Sequence, residues 1–253
     1  MIIICRGSEA VQRGAGRMLF HKKDPEADFL RRAARFPANE TEAYAAYLDE
    51  LARSADAARQ DPLGLRVLAI ADTHKDLAFH DTLSPFLEGI GAYDICLLLG
   101  DVTQYDLDVI LRCVPREKIA AVLGNHDEPD LLWANRLTDL HGKVREIAGV
   151  RIAGIEGSFR YKEGAYPMMT QYESLELARK MPQEADLLVT HDAAFNPSRG
   201  IHLAHRGLAG ISYYLLRSRV GVHIHGHLHS EYRRQYPNGA QEISVYPFAY
   251  LEI

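Results

Sequence analysis

Between Leu65 and Ser230 one arrangement returns five times: a short, β-branched or leucine-rich run passes straight into Asp, Asn or His. The runs are LRVLAIADTH, DICLLLGD, IAAVLGNHD, DLLVTHD and VGVHIHGHLH. Continuous apolar stretches of this length are strands buried on both faces, as in a parallel sheet covered by helices. Segments of helical character such as DEPDLLWANRLTDL and YESLELARKM lie between them, so the order is strand, helix, strand. The functional crevice of such a sheet lies at the carboxyl ends of its strands. There the polar clusters would meet: Asp72 and His74, Asp101, Asn125 with His126 and Asp127, His191 with Asp192, and His227 with His229.

That set is too large for one ion. A zinc ion takes four ligands, whereas two neighbouring ions bridged by a carboxylate or solvent need roughly six to eight. Oxygen and imidazole donors without thiolate favour Mn, Fe, Zn or Co and do not choose among them. In GVHIHGHLHS the histidines at 223, 225, 227 and 229 alternate, and a continuous strand would project all four from one face. Gly226 reads as the end of that strand, which divides them into a strand pair and a loop pair.

In chain order, DTH (Asp72 to His74), GD (Gly100, Asp101), GNHD (Gly124 to Asp127), a lone His191 and GHLH (Gly226 to His229) resemble the signature blocks of the calcineurin-like metallophosphoesterase superfamily. The resemblance runs from Leu65 to the C-terminus. It implies an α/β fold of four layers, αββα, with two mixed β-sheets flanked by helices. Carried over residue by residue, it assigns one metal to Asp72, His74 and His229 and the other to Asn125, His191 and His227, with Asp101 bridging both. The implied cofactors are two ions, Mn, Fe or Zn. The implied reaction is phosphoester hydrolysis, in which the ions neutralise phosphoryl oxygens and lower the pKa of a bridging water. His126 is then no ligand but the catalytic group that hydrogen-bonds the phosphoryl group or protonates the leaving oxygen. His223 and His225 become supporting or core groups. Asp127 could orient His126 or backbone groups, but it also precedes Pro129 at an apparent helix start, where a carboxylate caps, so a structural role is expected for it.

In the superfamily's protein serine/threonine phosphatases the second block continues to a further Asp and then Arg-Gly. Here it reads GDVTQYD, with Gln104 where that Asp would stand, which disfavours a protein phosphatase and leaves His126 without an assigned carboxylate partner, although Asp106 is close. A net charge of -5 and no basic cluster beyond pairs such as Arg31-Arg32 argue against nucleic acid as a partner. The reading favoured is a small-molecule or nucleotide phosphodiesterase; a phosphomonoesterase and a non-enzymatic scaffold of the same fold are the alternatives. Arg160, Tyr161, Arg199, His202, His205 and Arg206 flank His191 and either grip a phosphate or are solvated loop residues.

Residues 1–64 read as a helical extension and 65–253 as the catalytic domain. In NETEAYAAYLDELARSADAARQ, Asn39 can cap a helix with Glu42 closing a capping box, and Tyr44, Tyr47, Leu48, Leu51 and Ala55 form an apolar face. Docking on the main domain, a lid or a dimer contact would each cover it, so a homo-oligomer stays open. KVREIAGVRIAGIEGS, hinged at Ala148-Gly149, and EYRRQYPNGAQEISVYPFAYLEI, turning at Pro237-Asn238-Gly239, suggest antiparallel additions in a second sheet. The opening MIIICRG reads as a short strand and not a secretory signal, and no apolar run reaches the ~18 residues of a membrane span. With three scattered cysteines, Cys5, Cys96 and Cys113, the chain is expected to be soluble and cytoplasmic, without a membrane partner.

Overall fold

The computed structural model describes residues 41–163, 167–199 and 203–253. The MIIICRG strand, the Arg31-Arg32 pair, the Asn39 cap and His202 lie outside the described residues.

Strand β1 (Arg66–Ile70) shows how the layers arise. Side chains of a strand alternate between faces. Val67 and Ala69 join a core cluster with Leu97 of β2 (Ile95–Leu98), Val189 of β9 (Leu187–Thr190) and Ile224 of β10 (Val222–His225). Leu68 and Ile70 join a different cluster, with Phe79 and Leu83 of helix α2 (Leu77–Gly89) and Leu107 and Ile110 of α3 (Gln104–Cys113). Leu188 points away from the first cluster into a third, under α5 (Gln171–Lys180) and α6 (Ala209–Arg217). Helices, sheet, sheet and helices therefore stack as four layers around three apolar seams, and the strands are apolar throughout because both faces are covered.

The five apolar runs do not share one sheet. β1, β2 and β3 (Ile119–Ala121) run parallel in the first, whose order is β13-β1-β2-β3-β4 with β4 spanning Thr138–Asp139. β7 (Ser158–Phe159) and β8 (Met168–Met169) form a separate parallel pair, and β9 and β10 run parallel in the second sheet, whose order is β11 (Tyr232–Gln235), β12 (Gln241–Ser244), β10, β9, β6 (Val150–Ile155) and β5 (Val144–Ile147). Its edges are the two expected additions: the antiparallel hairpin β5 and β6, and the antiparallel pair β11 and β12. The final segment departs from expectation. β13 (Phe248–Glu252) leaves the second sheet and pairs antiparallel with β1.

Two local readings are also corrected. DEPDLLWANRLTDL is helical only over α4, Leu131–Ala134, because Asn135 Nδ2 donates to the Leu131 carbonyl and Arg136 adopts a left-handed φ of 54°. Asp127 caps no helix; its role lies in the site. At the N-terminal side, α1 (Thr41–Arg53) buries Tyr44 and Leu48 against α6, with Tyr47, Leu51 and Ala55 half-buried beside them. Tyr44 meets the Phe195 ring edge-on at 6.4 Å, and the Arg59 guanidinium pairs with Asp186 farther along. No described helix is long and apolar enough to cross a membrane.

Candidate metal centre

Each polar cluster follows the carboxyl end of a strand, and the turn there is abrupt. Five candidate residues take a left-handed backbone: Asp72 (φ 55°), His74 (46°), Asp101 (55°), His227 (68°) and His229 (47°). Non-glycine residues rarely carry this strain outside sites that need it. The turns also crowd each other. A Cβ on Gly124 would stand 2.1 Å from Asp101 Oδ1, and one on Gly226 would stand 2.8 Å from Asp72 Oδ2. Only glycine lets these loops close on the carboxylates.

On the buried side, His191 directs Nδ1 to the Leu99 carbonyl at 2.8 Å, and His227 directs Nε2 to the Ala204 carbonyl at 2.8 Å. A carbonyl only accepts, so each bonded nitrogen carries its ring's proton and the other nitrogen presents a lone pair. Those lone pairs, on His191 Nε2 and His227 Nδ1, converge at 3.1 Å, and Asn125 Oδ1 stands 3.0 Å from the first. Asn125 is held that way round by Tyr161, whose hydroxyl oxygen accepts from Asn125 Nδ2 at 3.3 Å. On the more open side, His74 Nε2 and His229 Nε2 lie 3.1 Å apart, and Asp72 Oδ1 lies 3.6 Å from the latter.

Asp101 joins the two halves: Oδ1 is 3.6 Å from His191 Nε2 and Oδ2 is 3.5 Å from His74 Nε2. Its Oδ1 also accepts the His126 N–H at 2.8 Å. Asp127 holds this arrangement from behind, accepting the backbone N–H of Gly124 at 2.7 Å and of Asp101 at 2.9 Å. It ties two loops together by orienting backbone groups, a structural role as expected, while the helix cap read from Pro129 is absent. Burial, then the charge of Asp101, pushes its carboxyl up to about 8.

Buried acceptors that converge without donors between them are costly unless a cation sits among them. Asp72 Oδ1 is buried with no hydrogen-bond partner, and the candidate ligand atoms of Asp72, His74 and His229, as of Asp72, Asp101 and His191, lie within 4.8 Å of one another. The donor set therefore fits metal ions of oxygen and nitrogen preference. Burial opposes ionisation of Asp72, yet His229, 3.6 Å away, and the neighbouring imidazoles hold its carboxyl below the ordinary value.

His126 stands at the solvent side of this cluster, its ring edge-on to His74 at 5.6 Å. Burial lowers its pKa, Asp101 opposes that, and Lys162 adds to the lowering. Asp106 does not serve it: its carboxylate receives His80 Nε2 at 2.6 Å and the Thr73 and Thr103 hydroxyls at 2.8 Å each. His223 and His225 are wholly buried on β10, bonded to Thr190 Oγ1 at 2.7 Å and to Tyr232 Oη at 3.1 Å. Asp192 accepts the N–H groups of Phe159 and Ala193.

Of the loop candidates, Arg160 pairs with Glu173 at 3.0 Å and Arg199 with Glu242 at 3.3 Å, each committed to scaffold contacts. Tyr161 and His205 are drawn in, the latter with its ring 5.3 Å from that of His227. Nothing in the local sequence separates Tyr161 from Arg160, and the carbonyls of Leu99 and Ala204 carry no sequence signal at all.

A model of the calcineurin-like phosphoesterase family matches residues 65–231. A comparison with curated proteins finds no match. Among solved structures, one is similar with TM-score 0.53 at 15% identity, covering 74% of this chain and 94% of that one, a likeness of fold. The protein TT1561 of Thermus thermophilus is similar with TM-score 0.47 at 13% identity over 71% of this chain and 88% of its own. A dimetal phosphatase from Danio rerio is similar with TM-score 0.44 at 14% identity over 73% of this chain and 87% of its own.

Proposed function

The chain belongs to the calcineurin-like phosphoesterase family, and on that premise we propose that it hydrolyses a small-molecule phosphoester with two metal ions, most naturally a nucleotide-like diester. Asp72, His74 and His229 would hold one ion, and Asn125, His191 and His227 the other, with Asp101 shared. The observation that carries this reading is the Asp101 carboxylate, whose two oxygens face imidazoles of different halves at 3.6 and 3.5 Å. When bound, Mn, Fe or Zn ions supply Lewis-acid charge neutralisation and lower the pKa of water.

The chain's own groups do the rest. Leu99 and Ala204 fix the tautomers that aim His191 and His227 inward, and Tyr161 turns the amide oxygen of Asn125 the same way. Asp101 orients the loop of His126 through its backbone N–H. His126, at the solvent side, would hydrogen-bond a phosphoryl oxygen and give its proton to the departing alkoxide.

The test is metal-stripped protein refilled with Mn and offered a chromogenic phosphodiester, with the matching monoester alongside. Mn-dependent diester cleavage is the expected result. If both esters survive although the protein takes up ions, the hydrolase reading gives way to a binding role for the fold.

A further inference from the structure

Beside the metal centre lies a cavity of about 520 Å³ that the ligand set leaves unused. Leu123 and Pro129, on either side of the Gly124 to Asp127 loop, both line it. Asp139 ends β4, in register with Ala121 of β3, and Glu156 follows β6, whose Ile155 is in register with Thr190 of β9. The cavity thus opens at the same carboxyl edge of both sheets from which Asn125 and His191 project, and Gly157 N–H donates to the Leu123 carbonyl at 2.7 Å across the rim.

Its walls differ in kind. Leu132 and Leu137 form an apolar floor, and the chain's sole tryptophan, Trp133, stands at the mouth 83% exposed. An aromatic so open is unusual for a side chain of this size, and its face is free to take a flat ring. The lining also carries a polar pair. His141 Nδ1 accepts the Glu156 backbone N–H at 3.1 Å, so the ring's proton resides on Nε2, 3.7 Å from the Glu156 carboxylate. One acceptor and one donor therefore sit side by side on the wall. Asp139 is already engaged by the His141 N–H at 2.8 Å and by Lys143.

We propose that this cavity receives the organic group esterified to the phosphate, and that it selects a flat heteroaromatic ring with an N–H donor and an acceptor adjacent on one edge, stacked on Trp133 and paired with Glu156 and His141. An anionic group is disfavoured, because the carboxyl groups of Glu156 and Asp139 both line the cavity. The specificity rests on the hydrolase reading above, and its test is independent of turnover.

Because Trp133 is the only tryptophan, its fluorescence reports the cavity directly. Metal-free protein is titrated with adenosine, which carries the donor-acceptor edge and no phosphate, and with purine riboside, which lacks the amino donor. Saturable quenching by adenosine is expected, about tenfold weaker for purine riboside and for Glu156→Ala. The ligand comparison in the unaltered protein stands even if the variant folds poorly. Absence of quenching, or equal affinity for the two nucleosides, would overturn the proposal while leaving Mn-dependent ester cleavage untouched. Quenching in a protein that cleaves no ester would strike instead at the hydrolase reading and at the cavity's part in it.

Discussion

His191 Nε2 and His227 Nδ1 face each other at 3.1 Å, each with the ring's other nitrogen bonded to a backbone carbonyl. Two imidazole lone pairs pointed together repel unless a cation or proton lies between them, and the carbonyls of Leu99 and Ala204 dictate on which nitrogens the protons reside.

Adding Mn or Zn to metal-stripped protein should therefore raise its melting temperature, with a stabilisation of about 2.7 kcal/mol per ion at a hundred times Kd. Titration calorimetry should count two ions in the unaltered protein and one in His227→Ala. A single ion in both would remove the division into two halves.

Asp101→Asn keeps the shape of the side chain but removes the charge shared between the halves. The backbone N–H that Asp127 accepts is unchanged, so the far-ultraviolet circular dichroism should match that of the parent. Turnover should fall by about two orders of magnitude or more. Undiminished turnover would end the assignment of Asp101 as the shared ligand.

Tyr161→Phe removes the acceptor that orients Asn125. Loss of such an outer partner typically weakens metal affinity on the order of tenfold. Calorimetry should find this loss in only one of the two ion-binding steps. Equal weakening of both would mean that the tyrosine acts by some general loosening of the loop.

His223 links pH to stability. Burial, then the neighbouring His225, holds its pKa down at about 3 against an ordinary value of 6.5. A depressed histidine is neutral in the fold, so its contribution is complete above pH 6.5 and is lost as pH falls towards about 3. The urea midpoint should drop across this window by an amount worth about a few kcal/mol, and His223→Gln should flatten the drop. A drop of the same size in the variant would trace the acid sensitivity to other groups.

Much of this architecture is legible along the chain because its determinants are local. An apolar run that ends in Asp or His reports both a buried strand and the loop that follows it, and the spacing of Tyr44, Leu48 and Leu51 reports the covered face of α1. Gly226 separates His223 and His225 from His227 and His229 for the same reason: a glycine changes the backbone at its own position. Which sheet a run joins is not a local property. DICLLLGD and DLLVTHD look alike, yet they become β2 and β9 on opposite sides of the central seam, and β13 crosses to β1 from a segment that reads as part of the second sheet.

The sequence alone determined the strands behind the five blocks, the family blocks and which polar residues stand at strand ends, since these depend on side-chain period and on neighbours a few residues apart. The tertiary structure alone decided the partners: Asp106 with His80, Asp127 with the backbone of Asp101, Tyr161 with Asn125, and Trp133 in the lining of one cavity with Glu156. These pairings join residues brought together only when two sheets pack, and the choice among candidate partners is settled by close packing and by the cost of leaving a buried polar atom unpaired.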